Sequence, residues 1–271
     1  MLIKFYNFLQ DTIGAYTFVV AVGAVVSFFV YAYLARKRGR DWPELFSFFI
    51  IELVGMFLGA HLLYFFVQLP EWIEYYSGRI QSVGDFFVAF TQGASGLVFY
   101  GGLLGATLCV YLYSRRHRYP VRSELNNAVI VYPLFHMFGR IGCTLNGCCY
   151  GIEYHGIFAI QYTSDYIVAG KSDDVADYSR FPIQPLEALV GLIMFIILFI
   201  LYKKTKDKYS LTCIYFLVYS IIRFFDEFLR GDAARGIWGP FSTSQWISLA
   251  IFVVTVTYLI VLRKKNRKQA L

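Results

Sequence analysis

"TIGAYTFVVAVGAVVSFFVYAYLA", Thr12 to Ala35, runs for 24 residues without an Asp, Glu, Lys or Arg. Coiled as a helix it measures ~36 Å, more than the ~30 Å hydrocarbon core of a bilayer. Phe86–Ser114 and Gly236–Leu262 are uncharged in the same way. A soluble domain is about half apolar. This chain of 271 residues is 58% hydrophobic and 20% aromatic, and its mean hydropathy is positive. A β-barrel would show ~10-residue alternating segments instead. The fold class that follows is all-α, a polytopic membrane protein.

Four further apolar segments are interrupted by charge or polarity: Leu45–Val67, Leu125–Gly142, Pro182–Tyr202 and Leu211–Arg230. The expectation is therefore about seven transmembrane helices. The first run is too long, and too weakly basic at its start, for a cleaved signal peptide, so it is kept as a helix. Basic residues cluster after alternate spans: Arg36, Lys37, Arg38 and Arg40; Arg115, Arg116, Arg118 and Arg122; Lys203, Lys204, Lys206 and Lys208; Arg263, Lys264, Lys265, Arg267 and Lys268. These are 17 of the 25 Lys and Arg, and seven spans put them all on one side. Such an excess marks the cytoplasmic side, so the N-terminus is expected outside and the C-terminus in the cytoplasm. The net charge of +7 then serves topology and contact with anionic headgroups. Its scatter over short loops argues against nucleic acid. With no repeat and no long linker, residues 1–271 read as a single domain.

Two segments fall outside on this topology. Gln68–Gly93 contains Trp72, Tyr75 and Tyr76, which suit a membrane interface. Ile152–Phe181 contains Asp165, Asp173, Asp174 and Asp177, with short strands expected around "IFAIQYT", 157–163.

Ionisable groups inside spans cost at least ~2.5 kcal/mol each at a helix centre, so they mark cavities or partners. The candidates are Glu52, His61, Arg140, Glu187, Arg223, Asp226, Glu227 and Arg230. Tyr219, Arg223 and Glu227 recur every four residues on one helix face, with Arg230 three further on. One reading of Asp226, Glu227 and Arg230 is a self-neutralising ladder. The deeper Arg223 suits an anion. Gly55 and Gly59 fit close helix packing. Gly101, Gly102 and Gly105, beside Tyr100, fit either packing or the approach of a ligand to the backbone.

"FHMFGRIGCTLNGCCYG", Phe135 to Gly151, concentrates polar groups in an apolar chain. Gly142, Gly147 and Gly151 argue against a long regular helix past Arg140. Arg140, Asn146 and backbone N–H groups in such a loop would suit a phosphate, and a phospholipid headgroup supplies one at that depth.

These residues resemble the bacterial prolipoprotein diacylglyceryl transferases, whose signature reads roughly Gly-Arg-hydrophobic-Gly-Asn-x-x-Asn-Gly-x-x-x-Gly. Arg140, Gly142, Asn146, Gly147 and Gly151 fall on its fixed positions. "FYGGLLGA" is similar to the family's His-Gly-Gly-Leu stretch through Gly101, Gly102, Leu103 and Gly105. "YSIIRFFDEFLRGD" is similar to Tyr-x-x-x-Arg-x-x-x-Glu-x-x-Arg through Tyr219, Arg223, Glu227 and Arg230. "FPIQPLEAL" matches Pro-x-Gln-x-x-Glu through Pro182, Gln184 and Glu187, and "STSQWISL" a Ser-x-x-Gln segment through Gln245. Tyr16 stands where the family keeps a first-helix tyrosine. The matches follow the family's order along nearly the whole chain.

The resemblance implies transfer of the diacylglyceryl group of phosphatidylglycerol to the lipobox cysteine thiol of a preprolipoprotein, in the bacterial cell (inner) membrane. It implies Arg140 and Arg223 as charge stabilisers, and Tyr16, Tyr100, Tyr219 and His61 as groups that polarise or deprotonate the thiol. Asn146, Gly142, Gly147, Gly151, Gly101, Gly102, Gln184, Glu187, Glu227, Arg230 and Gln245 would then hold substrate. No metal or organic cofactor is expected. The chain departs from the pattern at Tyr100 (family His), Cys143 (family Asn), Cys148 (commonly acidic) and His61 (family Arg).

Cys109 and Cys213 sit in apolar helix and read as packing residues. Cys143, Cys148 and Cys149 leave several readings open: small residues in place of others, a Cys143–Cys148 disulfide, a redox pair, or a zinc site with His136 or His155. Their C-x4-C-C spacing lacks the paired C-x2-C of common zinc sites. A divergent paralogue with another acceptor or donor lipid, a phospholipid transporter and a membrane thiol oxidoreductase are the alternative functions.

Overall fold

The computed structural model describes residues 14–77, 79, 82–93, 96–162, 178–205, 210–231 and 236–269. The described chain is mostly helical: α1 (Ala15–Arg36), α2 (Trp42–Tyr76), α3 (Val83–Gly93), α4 (Phe99–Arg116), α5 (Val121–Leu145), α6 (Ile183–Thr205), α7 (Leu211–Asp226) and α8 (Thr243–Gln269). A 3-10 turn, Glu227–Leu229, continues α7. Two antiparallel hairpins complete the described elements. One pairs β1 (Ile160–Tyr162) with β2 (Tyr178–Arg180), the other β3 (Ile237–Trp238) with β4 (Phe241–Ser242).

Five described helices, α1, α2, α5, α6 and α8, are long and apolar enough to cross a bilayer. The chain is a multi-pass membrane protein. The continuous helix expected over Phe86–Ser114 is instead two, α3 and α4. Charge-free sequence marks what lipid tolerates, and says nothing of where a helix breaks. Gly93 and Gly96 flank the interruption, and Gly96 packs on the ring of Tyr64. The segment around "IFAIQYT" does contain a strand, β1. Asp165, Asp173, Asp174 and Asp177, with Lys206 and Lys208, lie outside the described residues.

The fold divides into two compact units, one of Met1–Tyr31, Val129–Arg235 and Ser248–Leu271, the other of Ala32–Ala128 and Gly236–Ile247. In the first, α1 packs on α5 where Gly23 receives Phe138, and α6 packs on α5 where Gly191 meets the Pro133 carbonyl. Only a missing Cβ allows either approach. Pro133 has already removed one helical N–H donor from α5.

In the second unit, α2 opens on a capping box. Asp41 accepts from the Glu44 N–H at 3.1 Å, and the Glu44 carboxylate accepts from the Asp41 N–H. α2 and α4 then cross glycine to glycine: a Cβ on Gly55 would meet the Gly105 carbonyl oxygen at 2.6 Å, and Gly59 and Gly101 face each other's carbonyls. Gly102 meets Met56 and Ala60. The close approach that Gly101 and Gly102 permit here is between helices, the packing alternative their sequence left open.

Candidate active site

Helix periodicity lines up Tyr132, His136, Arg140 and Cys143 on one stripe of α5. The same rule lines up Tyr215, Tyr219 and Arg223 on α7. The stripes meet rung by rung. Tyr132 and Tyr215 have ring centroids 6.0 Å apart, His136 and Tyr219 5.9 Å, each pair near edge-to-face. Because the rungs keep sequence order, α5 and α7 run in the same direction.

The next rung is ionic, and α6 supplies its centre. Glu187 Oε2 lies 2.5 Å from Arg140 Nε, and Glu187 Oε1 lies 3.5 Å from Arg223 Nη1. Arg223 Nη2 reaches Glu227 Oε2 at 2.5 Å. Arg140 Nε also donates to His136 Nε2 at 3.0 Å, which leaves a neutral His136 with its proton on Nδ1. Arg140, Arg223, Arg230, Glu187 and Glu227 are all buried. Glu187 thus links guanidiniums of α5 and α7 from α6. The ladder expected over Asp226, Glu227 and Arg230 is therefore joined across helices through Glu187. Asp226 itself is half-buried.

Arg140 and Gly142 lie within α5, which continues to Leu145. This corrects the expected loop. The helix end closes as a Schellman motif: the Cys148 N–H donates to the Cys143 carbonyl at 3.1 Å and the Gly147 N–H to the Thr144 carbonyl at 3.3 Å. Gly147 takes the left-handed φ of 63° that this cap requires. The Asn146 N–H donates to the Gly142 carbonyl at 2.9 Å. These N–H groups are committed inside the chain and do not form a phosphate nest.

The Schellman motif brings together the side chains of its two contact positions, here Cys143 and Cys148. Cys149 follows with a φ of 56°. The three Sγ atoms lie within 4.8 Å of one another. Hydrogen bonds from Cys143 and Cys148 hold the Cys149 thiol well below the ordinary thiol range against the opposing effect of burial, and Arg140 and Arg230 act in the same sense.

Other expected residues brace this arrangement. Gln184 Nε2 donates to the Cys148 carbonyl and the Tyr162 hydroxyl, both at 2.8 Å, tying α6 to the cysteine loop and to β1. Gly151 forms a bridge with Arg230, and the Ile152 N–H donates to the Leu229 carbonyl at 3.0 Å. Gly151 is thus a backbone crossing, where a Cβ would strike Phe181. Tyr16 of α1 packs on Gly142, whose Cβ would meet Tyr16 Cδ2 at 2.9 Å.

Tyr100, His61, Gly101, Gly102 and Gln245 belong to the second unit. Tyr100 is buried there, and His61 stacks edge-on against Phe57 at 4.3 Å. Gln245 Oε1 accepts from the Ser242 N–H at 2.9 Å, while Ser242 Oγ accepts from the Gln245 N–H at 3.3 Å. The Ser-x-x-Gln segment is the capping box of α8. One group entered the site unanticipated, His136 as a partner of Arg140. Its signal was the four-residue spacing of the two on α5.

The sequence profile of the prolipoprotein diacylglyceryl transferases matches residues 4–261. Phosphatidylglycerol–prolipoprotein diacylglyceryl transferase 2 of Clostridium perfringens is 29% identical over 257 residues, covering 95% of this chain and 94% of the relative. The corresponding transferase of Clostridium tetani is 28% identical over 247 residues, 90% and 91% of the two chains. That of Helicobacter pylori strain HPAG1 is 29% identical over 262 residues, 93% and 91% of the two chains. With the match spanning both units and every helix of the ionic network, this chain belongs to the prolipoprotein diacylglyceryl transferase family.

Proposed function

We propose that the protein transfers the diacylglyceryl group of phosphatidylglycerol to the lipobox cysteine of preprolipoproteins. The observation that carries this reading is the buried ionic set, in which Arg140 and Arg223 converge on Glu187 from two helices. A phosphodiester is an anion that such a guanidinium pair can hold. The acceptor thiolate forms a C–S bond to the diacylglyceryl CH2 carbon while that carbon's bond to the phosphate oxygen breaks. Glycerol phosphate leaves with the bonding electrons. Its added charge develops where Arg140 and Arg223 donate, and in a water-poor site such donors count most.

The thiol must lose its proton before it attacks. Tyr16, Tyr100, Tyr219 and His61 are the groups proposed to polarise or deprotonate it. Seven spans with the N-terminus outside, the C-terminus cytoplasmic and residence in the bacterial inner membrane complete the reading. The alternating basic clusters support them.

The test is direct. Purified protein in detergent receives radiolabelled phosphatidylglycerol and a peptide carrying a lipobox cysteine. Label in the peptide, stable to hydroxylamine as a thioether is, is the expected result. No labelled peptide over a full time course removes the reading.

A further inference from the structure

Three thiols converge at the end of the helix that carries Arg140, and the transfer chemistry above uses none of them. We propose that Cys143, Cys148 and Cys149 form a three-thiolate site for a zinc-class divalent cation, with its fourth position open to an exogenous thiol. The second half of the proposal rests on the transferase reading. The first half does not.

Geometry is the first support. All three Sγ atoms already lie within 4.8 Å of one another. Thiolates at ~2.3 Å around a tetrahedral ion are about 3.8 Å apart, so contraction by about 1 Å at most completes the set. The convergence is built into the backbone. The Schellman closure at Gly147 brings Cys148 over Cys143, and Gln184 anchors the Cys148 carbonyl at 2.8 Å. Cys149 holds a left-handed φ of 56°, a region that non-glycine residues seldom adopt. No disulfide links the three.

Charge is the second support. Three thiolates around a divalent ion carry one net negative charge. Arg140 stands one turn before Cys143 on the same face of α5, and Arg140 and Arg230 both act electrostatically on the cluster. Soft thiolate ligands select zinc-class ions over magnesium or calcium.

The open position is the third. Among the described residues no histidine or carboxylate joins the cluster. Zinc held by three protein ligands keeps its fourth site for water or substrate. A thiol that takes this site binds as thiolate and releases its proton. The acceptor of the proposed reaction is a thiol, so coordination would supply the nucleophile.

Cobalt(II) makes the site visible. The reduced full-length protein is stripped with a chelator and titrated with cobalt(II) in detergent. We expect thiolate-to-cobalt charge-transfer absorption in the near ultraviolet and tetrahedral ligand-field bands in the visible, saturating at one ion per chain. Zinc should abolish both. The combined variant Cys143→Ser, Cys148→Ser, Cys149→Ser should reduce them to background, whereas Cys109→Ser and Cys213→Ser should keep them. Adding the lipobox peptide should shift the ligand-field bands, and the peptide with serine in place of cysteine should not. Absence of charge transfer in the wild-type protein, its persistence in the combined variant, or bands indifferent to the cysteine peptide each overturn the proposal. Labelled-lipid transfer is measured on the same samples. Transfer without cobalt absorption removes the metal site and leaves the transferase, and absorption without transfer does the reverse.

Discussion

Glu187 Oε2 lies 2.5 Å from Arg140 Nε, with both side chains buried. The same carboxylate also reaches Arg223. Glu187→Gln keeps the shape and removes the charge that offsets the mutual repulsion of two guanidiniums. Breaking a buried ion pair in this way costs about 3–5 kcal/mol. Thermal unfolding in detergent should show a markedly lower midpoint, and transfer should be lost. An unchanged midpoint with full activity would remove Glu187 from the network.

Arg140→Ala and Arg223→Ala should each lower the transfer rate about 100-fold or more, the scale seen when a preorganised charge donor is deleted. Arg140→Lys should not rescue. Lysine keeps the charge but has no Nε–H at the place where Arg140 meets His136 and Glu187. Steady-state rates with labelled phosphatidylglycerol decide this, and retained activity in both alanine variants would sink the assignment.

Gly59→Ala should destabilise the protein by about 1–3 kcal/mol, because its methyl group would enter the Gly101 carbonyl. Gly139→Ala is the contrast. Nothing lies within 4 Å of its Cβ position, so it should be neutral or stabilising by up to ~1 kcal/mol. Melting curves of the pair test whether the glycines of α2 and α4 serve packing.

Gly147→Ala should cost about 1 kcal/mol, since alanine resists a φ of 63°. Gly147→Asn should cost less, because asparagine tolerates that region. Equal melting points for all three proteins would contradict the Schellman closure.

Gln245→Glu separates a helix cap from a substrate contact. Glutamate fills the same place in a capping box, so stability and transfer should both survive. Gln245→Ala should lose about 1 kcal/mol. A Glu variant that keeps its melting point but loses transfer would return Gln245 to the substrate.

Much of this was legible in the chain. Long charge-free runs follow from bilayer thickness, and Arg140, Glu187, Arg223 and Glu227 stood out because charge in lipid demands a partner. What they pair with was not legible. Glu187 joins the arginines from a third helix, and sequence distance says nothing of that. The break between α3 and α4 hides in uncharged residues that lipid accepts in either conformation. Gly101 and Gln245 each have a structural use that the motifs did not reveal: a motif records that a residue type is needed, and a helix crossing or a cap needs it as firmly as a ligand does. Gly147, just before Cys148, signals the convergence of Cys143 and Cys148 only once α5 is known to reach Leu145.

Glu187 also bears on turnover. An arginine pair with its own resident counter-anion never confronts the lipid interior as naked double charge. On the proposed reading an arriving headgroup would compete with that carboxylate, which would limit its affinity. The same carboxylate would stand ready to re-pair the guanidiniums when an anionic product leaves, so the feature that tempers binding would also ease exit.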